Sequence, residues 1–212
     1  MKKSLYGILF TLLIVATALS VTFAQTDQDC LSCHADSSMM GAMGIEDWEP
    51  LVLDAERYTQ TIHSQMGGCV NCHYDISEFP HADTVAAVDC GMCHYDAQQN
   101  WAESAHGLSV QEGSEDAATC SSCHTDHYQF SSSDSLSRVH PTNEWQTCAE
   151  CHSNEELIQE YDIPQPDAVA MYKTSIHGRE LIVQGNLDAA SCSDCHGSHK
   201  ILRARNFEST MN

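Results

Sequence analysis

The sequence predicts a mostly α-helical chain of short helices and long loops, with little regular secondary structure and an interior that side chains alone do not fill. Three observations lead there. Aromatic residues are only 7% of the 212 residues, so an ordinary core would lack its largest members. No stretch alternates apolar and polar residues long enough to propose a substantial sheet. All 12 cysteines fall in pairs of one spacing, which is the mark of a framework built on something other than packing.

The chain opens with Lys2 and Lys3, an uncharged apolar run from Leu5, and the small residues Thr22 and Ala24 ahead of Gln25. That is the pattern of an export signal over residues 1–24. An uncleaved anchor is the alternative, since the run is about the 20 residues a bilayer span needs. Either way residues 25–212 are exported, to the periplasm or cell surface, soluble or membrane-anchored. With 30 acidic against 9 basic side chains, a formal net charge of -21, the surface repels phosphate, which excludes a nucleic-acid partner.

The cysteine pairs are Cys30 and Cys33, Cys69 and Cys72, Cys90 and Cys93, Cys120 and Cys123, Cys148 and Cys151, and Cys192 and Cys195. A histidine follows every pair: His34, His73, His94, His124, His152 and His196. With 13 histidines in the chain, six such coincidences have a chance probability on the order of 10⁻⁷. Zinc accounts for paired C-x-x-C but not for the histidine, and disulfides make no demand on histidine at all. C-x-x-C-H is the attachment signal of c-type haem: two thiols reach two vinyl groups of one porphyrin, and the adjoining imidazole comes under the iron. Six motifs predict six haems. Residues 25–212 leave roughly 31 positions per motif, too few for six separate protein pockets, so the predicted fold is haem-cored.

Iron with one imidazole takes a sixth ligand, and seven histidines remain. His63, His106 and His177 share a pattern of an aromatic, two residues, Ser or Thr, one residue, then His. The aromatics are Tyr58, Trp101 and Tyr172, expected to share one helix face with the imidazole. His127 and His199 follow a motif as C-H-x-x-H. His81 and His140 have no pattern but are candidates on supply, and seven candidates for six sites leave one spare. For the first haem, Met39, Met40 and Met43 offer an alternative ligand, and an open sixth position is a further one.

A shift of 72 positions superposes the motif at Cys120 on that at Cys192, His127 on His199, Asp134 on Asn206 and Ser137 on Ser209. With small gaps, Leu108 and Val110 match Leu181 and Val183. The chain therefore contains an internal repeat, about 101–152 and 172–212. In the first copy another motif follows at Cys148, so the second predicts one near position 220 and a longer protein; a degenerate terminal repeat is the alternative.

The exported portion resembles the bis-histidine multihaem c-type cytochromes, through Ser104-x-His106-Gly107, Ser175-x-His177-Gly178 and Cys195-His196-Gly197-x-His199. The resemblance implies electron transfer through low-potential haems, with redox protein partners such as a quinone-linked membrane oxidoreductase or another cytochrome. Membrane contact is compatible with it. The chain then reads as a carrier rather than an enzyme, with no Ser/His/Asp triad or phosphate loop. A multihaem reductase with one five-coordinate haem, or a subunit of an extracellular haem filament, is the alternative. Locally, the sequence predicts a Gly/Met/Ser loop over 25–44, a helix over 46–65, a loop at Ser131–Ser135, and a helix over 167–184 after Pro164 and Pro166.

Overall fold

The computed structural model describes residues 26–212 apart from positions 67, 83, 204, 205, 207 and 210–212. The export segment lies outside the described residues, as does Asn212. Among the described residues there is no strand, and no helix is long and apolar enough to cross a membrane.

Helices α1 (Asp27–His34), α2 (Ser37–Ala42), α3 (Ala55–Thr59), α4 (Tyr95–Ala102), α5 (Ala105–Gln111) and α6 (Cys120–His124) build the first part. They are followed by α7 (Pro141–His152), α8 (Glu155–Glu160), α9 (Ala168–Thr174), α10 (Ile176–Gly178) and α11 (Cys192–His196). Short 3-10 turns lie between them at Glu49–Leu51, His63–Gln65, Cys69–Asn71 and Cys90–Met92. The helices are short because the sequence restarts them repeatedly. Asp36, Asp54, Ser104, Asn154 and Ser175 each accept backbone N–H groups at the first turn. Thr26 heads a capping box one turn before the Cys30 motif, and Thr119 and Ser191 head capping boxes directly before Cys120 and Cys192. Each such cap contributes about 1 kcal/mol, which matters for elements too short to stand alone.

Three local expectations are corrected by this capping. Residues 25–44 are not a loop: Thr26 starts α1 and Asp36 starts α2. The span 46–65 is not one helix, because Pro50 lies in a 3-10 turn, Val52 is extended and Asp54 caps the five-residue α3. The span 167–184 is interrupted at Ser175, which is extended (φ -67°, ψ 169°) and caps α10. The aromatic and the histidine of each pattern therefore lie on successive elements, not on one face of a single helix. After α10 the chain continues as a π-helical turn, Arg179–Val183. The second copy has two more residues between Gly178 and Leu181 than the first has between Gly107 and Leu108, and the widened turn takes up added length.

The peptide core is thin. Among the described residues the buried apolar side chains are Met40, Tyr58, Phe130 and Leu181, while Met66, Met92, Ile176 and Val183 are among many that are exposed. Four buried side chains at about 1.5–3 kcal/mol each give on the order of 10 kcal/mol. Ordering the backbone costs about 1–2 kcal/mol per residue, so these contacts do not hold the fold together.

Candidate functional site

Each motif is one helical turn. Four of the six lie on α1, α6, α7 and α11, and the other two begin as 3-10 turns whose last bond is helical, His73 N–H to the Cys69 carbonyl and His94 N–H to the Cys90 carbonyl, both 2.9 Å. Residues i, i+3 and i+4 of such a turn share a face, so both thiols and the imidazole project to one side. No two of the twelve cysteines form a disulfide. Burial pushes the Cys72, Cys123 and Cys151 thiols up, and Cys69 up to about 12, so these are not activated thiolates.

Across from five of the six motif histidines stands a second imidazole. The pairs are His34 with His81, His73 with His127, His94 with His63, His124 with His199, and His152 with His106. Their ring centroids are 6.0, 6.0, 5.9, 6.1 and 6.2 Å apart in that order. This is too far for ring contact and close to what one shared metal ion requires: metal–nitrogen bonds of about 2.0–2.1 Å, with each nitrogen about 1.1 Å from its centroid, give about 6.2–6.4 Å.

Hydrogen bonds fix the tautomers where a carbonyl faces Nδ1, because a carbonyl only accepts. His34 Nδ1 donates to the Leu51 carbonyl at 2.9 Å, His81 Nδ1 to the Ala82 carbonyl at 2.7 Å and His63 Nδ1 to Gln129 Oε1 at 3.3 Å. In the neutral ring Nε2 then carries the lone pair, the arrangement of a metal-ligating histidine with its outer hydrogen bond made. Burial, then the opposing imidazole, pushes His106, His124 and His127 below the ordinary histidine range. His152 is lowered by burial and then by His196. Each is thereby held in the neutral form that binds metal.

The donor set fits haem better than a bare ion. Among the described residues no three His, Cys, Asp or Glu side chains converge as a metal held by protein alone would need. Two imidazoles per site leave the equatorial ligands to be supplied by something flat enough to pass between rings 6 Å apart, as a porphyrin would be. Arg138 Nε and Trp145 Nε1 are buried donors with no protein acceptor, suited to a group that carries carboxylates.

The motifs neighbour one another in chain order. The Cys30 thiol lies within electrostatic reach of Cys69, Cys120 of Cys90 and Cys148 of Cys192. Between these couples, Cys72 lies within electrostatic reach of Cys90 and Cys93, and Cys123 of Cys148 and Cys151. Sequence reasoning did not yield this order, since thiol contacts between motifs leave no periodic trace.

Of the predicted distal candidates, His63, His81, His106, His127 and His199 face a motif histidine, and His140 and His177 do not. His81 takes the position opposite His34 that the methionines were expected to contest; Met40 is buried, and Met39 and Met43 are exposed. His140 is a buried N-cap of α7 whose Nδ1 bonds Thr142 at 2.7 Å. His177 is exposed on α10. The pairing interleaves along the chain: His63 and His106 each serve the second motif downstream, whereas His127 and His199 each reach back two motifs. Backbone contacts carry the same interleaving. The Ile62 N–H donates to the Gln129 carbonyl at 3.0 Å and the Ala105 N–H to the Ile201 carbonyl at 2.8 Å. In both, the residue before a leading histidine is bonded to the second residue after a C-H-x-x-H histidine.

No family model, curated protein or solved structure matches this chain.

Proposed function

We propose that the chain carries six covalently attached c-type haems and passes electrons along them, as an exported electron carrier. When bound, each haem supplies one-electron exchange at its iron. The single observation that carries the reading is the set of five imidazole pairs about 6 Å apart, each joining a C-x-x-C-H histidine to one from elsewhere in the chain.

In this reading Cys30 and Cys33, Cys69 and Cys72, Cys90 and Cys93, Cys120 and Cys123, Cys148 and Cys151, and Cys192 and Cys195 form the thioether bonds. The paired histidines would hold the group between them and keep water and substrate away from it, which suits electron transfer and disfavours substrate chemistry. The outer hydrogen bonds of His34, His81 and His63 hold those three imidazoles in one orientation as charge comes and goes. Motifs in contact in chain order make a single path from Cys30 to Cys192, with entry and exit at its two ends. The acidic surface, net -21, docks basic partners with an affinity that falls as salt rises. A quinone-linked membrane oxidoreductase and another cytochrome are both partners of the required kind.

The reductase reading keeps one foothold, His196, which has no imidazole opposite it among the described residues. The test is the intact mass of the protein purified with its cofactors attached, together with a pyridine haemochrome count. Six haems per chain support the carrier reading, and fewer than six sink it. An optical spectrum dominated by high-spin haem would favour the reductase instead.

A further inference from the structure

We infer that His177, Ile176 and His196 together form a junction that receives a further haem-bearing C-H-x-x-H segment, a partner polypeptide segment outside residues 1–212. The inference rests on the six-haem reading and extends it to how the protein is joined to its redox partner.

The interleaved contacts recur twice with the same registry, and at these residues the next round of them has nothing opposite. In the first round the segment His127–Gln129 places His127 opposite His73 and its Gln129 carbonyl on the Ile62 N–H, next to the leading His63. In the second round His199–Ile201 places His199 opposite His124 and the Ile201 carbonyl on the Ala105 N–H, next to the leading His106. The third set of receptors is built the same way. Ser175 accepts the Gly178 N–H at 3.1 Å as Ser104 accepts that of Gly107. Ser191 heads the turn that carries His196 as Thr119 heads the turn that carries His124. Yet among the described residues no ring faces His196 or His177 at the 6 Å spacing, and no carbonyl meets the Ile176 N–H. Ile176 is 67% exposed, and Met171 and Val183, within seven residues of it in the chain, are exposed to a similar extent.

The registry states what the partner presents. Its C-H-x-x-H histidine goes to His196, the carbonyl two residues later goes to Ile176, and its next C-x-x-C-H haem takes His177. A second copy of this chain is a poor occupant, because His127 and His199 are both engaged within their own chain and His140 is buried on Thr142.

The experiment uses the haem-loaded 212-residue chain in the ferric state, with haem count and spin state read by optical and electron paramagnetic resonance spectroscopy. Six haems with five low-spin and one high-spin are expected. His106→Ala should raise the high-spin count to two, whereas His177→Ala and His140→Ala should leave it at one. The peptide GSHKILR, which copies residues 197–203, should convert the high-spin haem at a concentration on the order of tenfold below free imidazole, because it adds a second contact. Its His→Ala version should not. Six low-spin haems, or a second high-spin haem in His177→Ala, would overturn the junction while leaving the carrier reading intact. A peptide no better than imidazole would overturn it in favour of an open small-ligand position. A high-spin signal that vanishes with rising protein concentration would make a second copy the occupant and overturn the assignment made here. Fewer than six haems would remove the carrier reading on which it stands.

Discussion

The repeat copies at 101–152 and 172–212 have the same local anatomy and different surroundings. Trp101 Nε1 donates to the Ala118 carbonyl at 3.0 Å, and Tyr172 OH donates to the Ala190 carbonyl at 2.9 Å, so two different aromatics tie the same two points together. The turn closed by Ser137 N–H on the Asp134 carbonyl recurs as Ser209 on Asn206, both at 2.9 Å. What differs is the partner: His106 faces His152, while His177 is exposed. A copy therefore makes its own turns and caps, but the mate of its leading histidine comes from a later motif. Local sequence builds half-sites, and interleaving completes them.

The largest expected effect tests what the copies share. If neither holds itself together by side-chain packing, the chain prepared without haem should have no cooperative thermal transition and little helical circular dichroism. Four buried apolar side chains among the described residues are too few to offset the entropy of their backbone. A folded haem-free chain would show that the copies are self-sufficient.

Next in size is the glycine after each leading histidine. A Cβ on Gly107 would stand 2.1 Å from the Trp101 carbonyl oxygen, and one on Gly178 would stand 2.1 Å from that of Tyr172. Backbone cannot yield as a flexible side chain does. Gly107→Ala and Gly178→Ala should each cost about 1–3 kcal/mol in the holoprotein, read from denaturation midpoints. Unequal costs would mean that the missing mate of His177 already loosens the second copy.

The contrast between copies also marks what was legible in the sequence. The motifs and the repeat are local or periodic, so they could be read directly, and Ser104 and Ser175 before their histidines are of the residue type that caps a helix. Two helical spans were misjudged because a single residue, Asp54 or Ser175, restarts the chain where composition suggests continuity, and the expected loop over 25–44 is helical because Thr26 and Asp36 cap it. His81 carries no local pattern; its position opposite His34 depends on the cysteine motif that intervenes and on a contact 47 residues away in the chain. The interleaved registry was not legible at all. It lives in pairs such as Ile62 with Gln129, whose partners share no spacing rule until both rounds are seen together.

A smaller effect comes from the caps. Ser104 is fully buried and Ser175 half-buried, and each accepts the N–H of the glycine three residues on. Ser104→Ala and Ser175→Ala should cost about 1 kcal/mol. The buried site should lie at the upper end, since its orphaned N–H has no water to turn to. Equal values would argue that the first copy is no better enclosed than the second.

The smallest effect concerns the ion pair that the second copy's C-H-x-x-H segment makes, where the first copy's segment instead uses a tyrosine hydroxyl and has the Arg57 guanidinium over the Tyr128 ring. Lys200, next to His199, pairs with Glu103 at the end of α4. The corresponding segment of the first copy uses Tyr128 OH, which accepts the Asp54 N–H at 2.8 Å. The hydrogen bond and charge of Glu103 hold the Lys200 amine above its ordinary 10.5. A raised folded-state value means that the contribution is whole below the unfolded value and is lost as pH rises through the folded one. Both side chains are well exposed, so the effect is small and screened by salt. Glu103→Gln should lower the unfolding midpoint slightly at neutral pH and low salt, and the difference from the parent should close above pH 10.5 and in high salt. A difference that persists in both conditions would mean that Glu103 acts through the hydrogen-bonded shape of the segment, as Tyr128 does, and that charge is incidental to how His199 is delivered to His124.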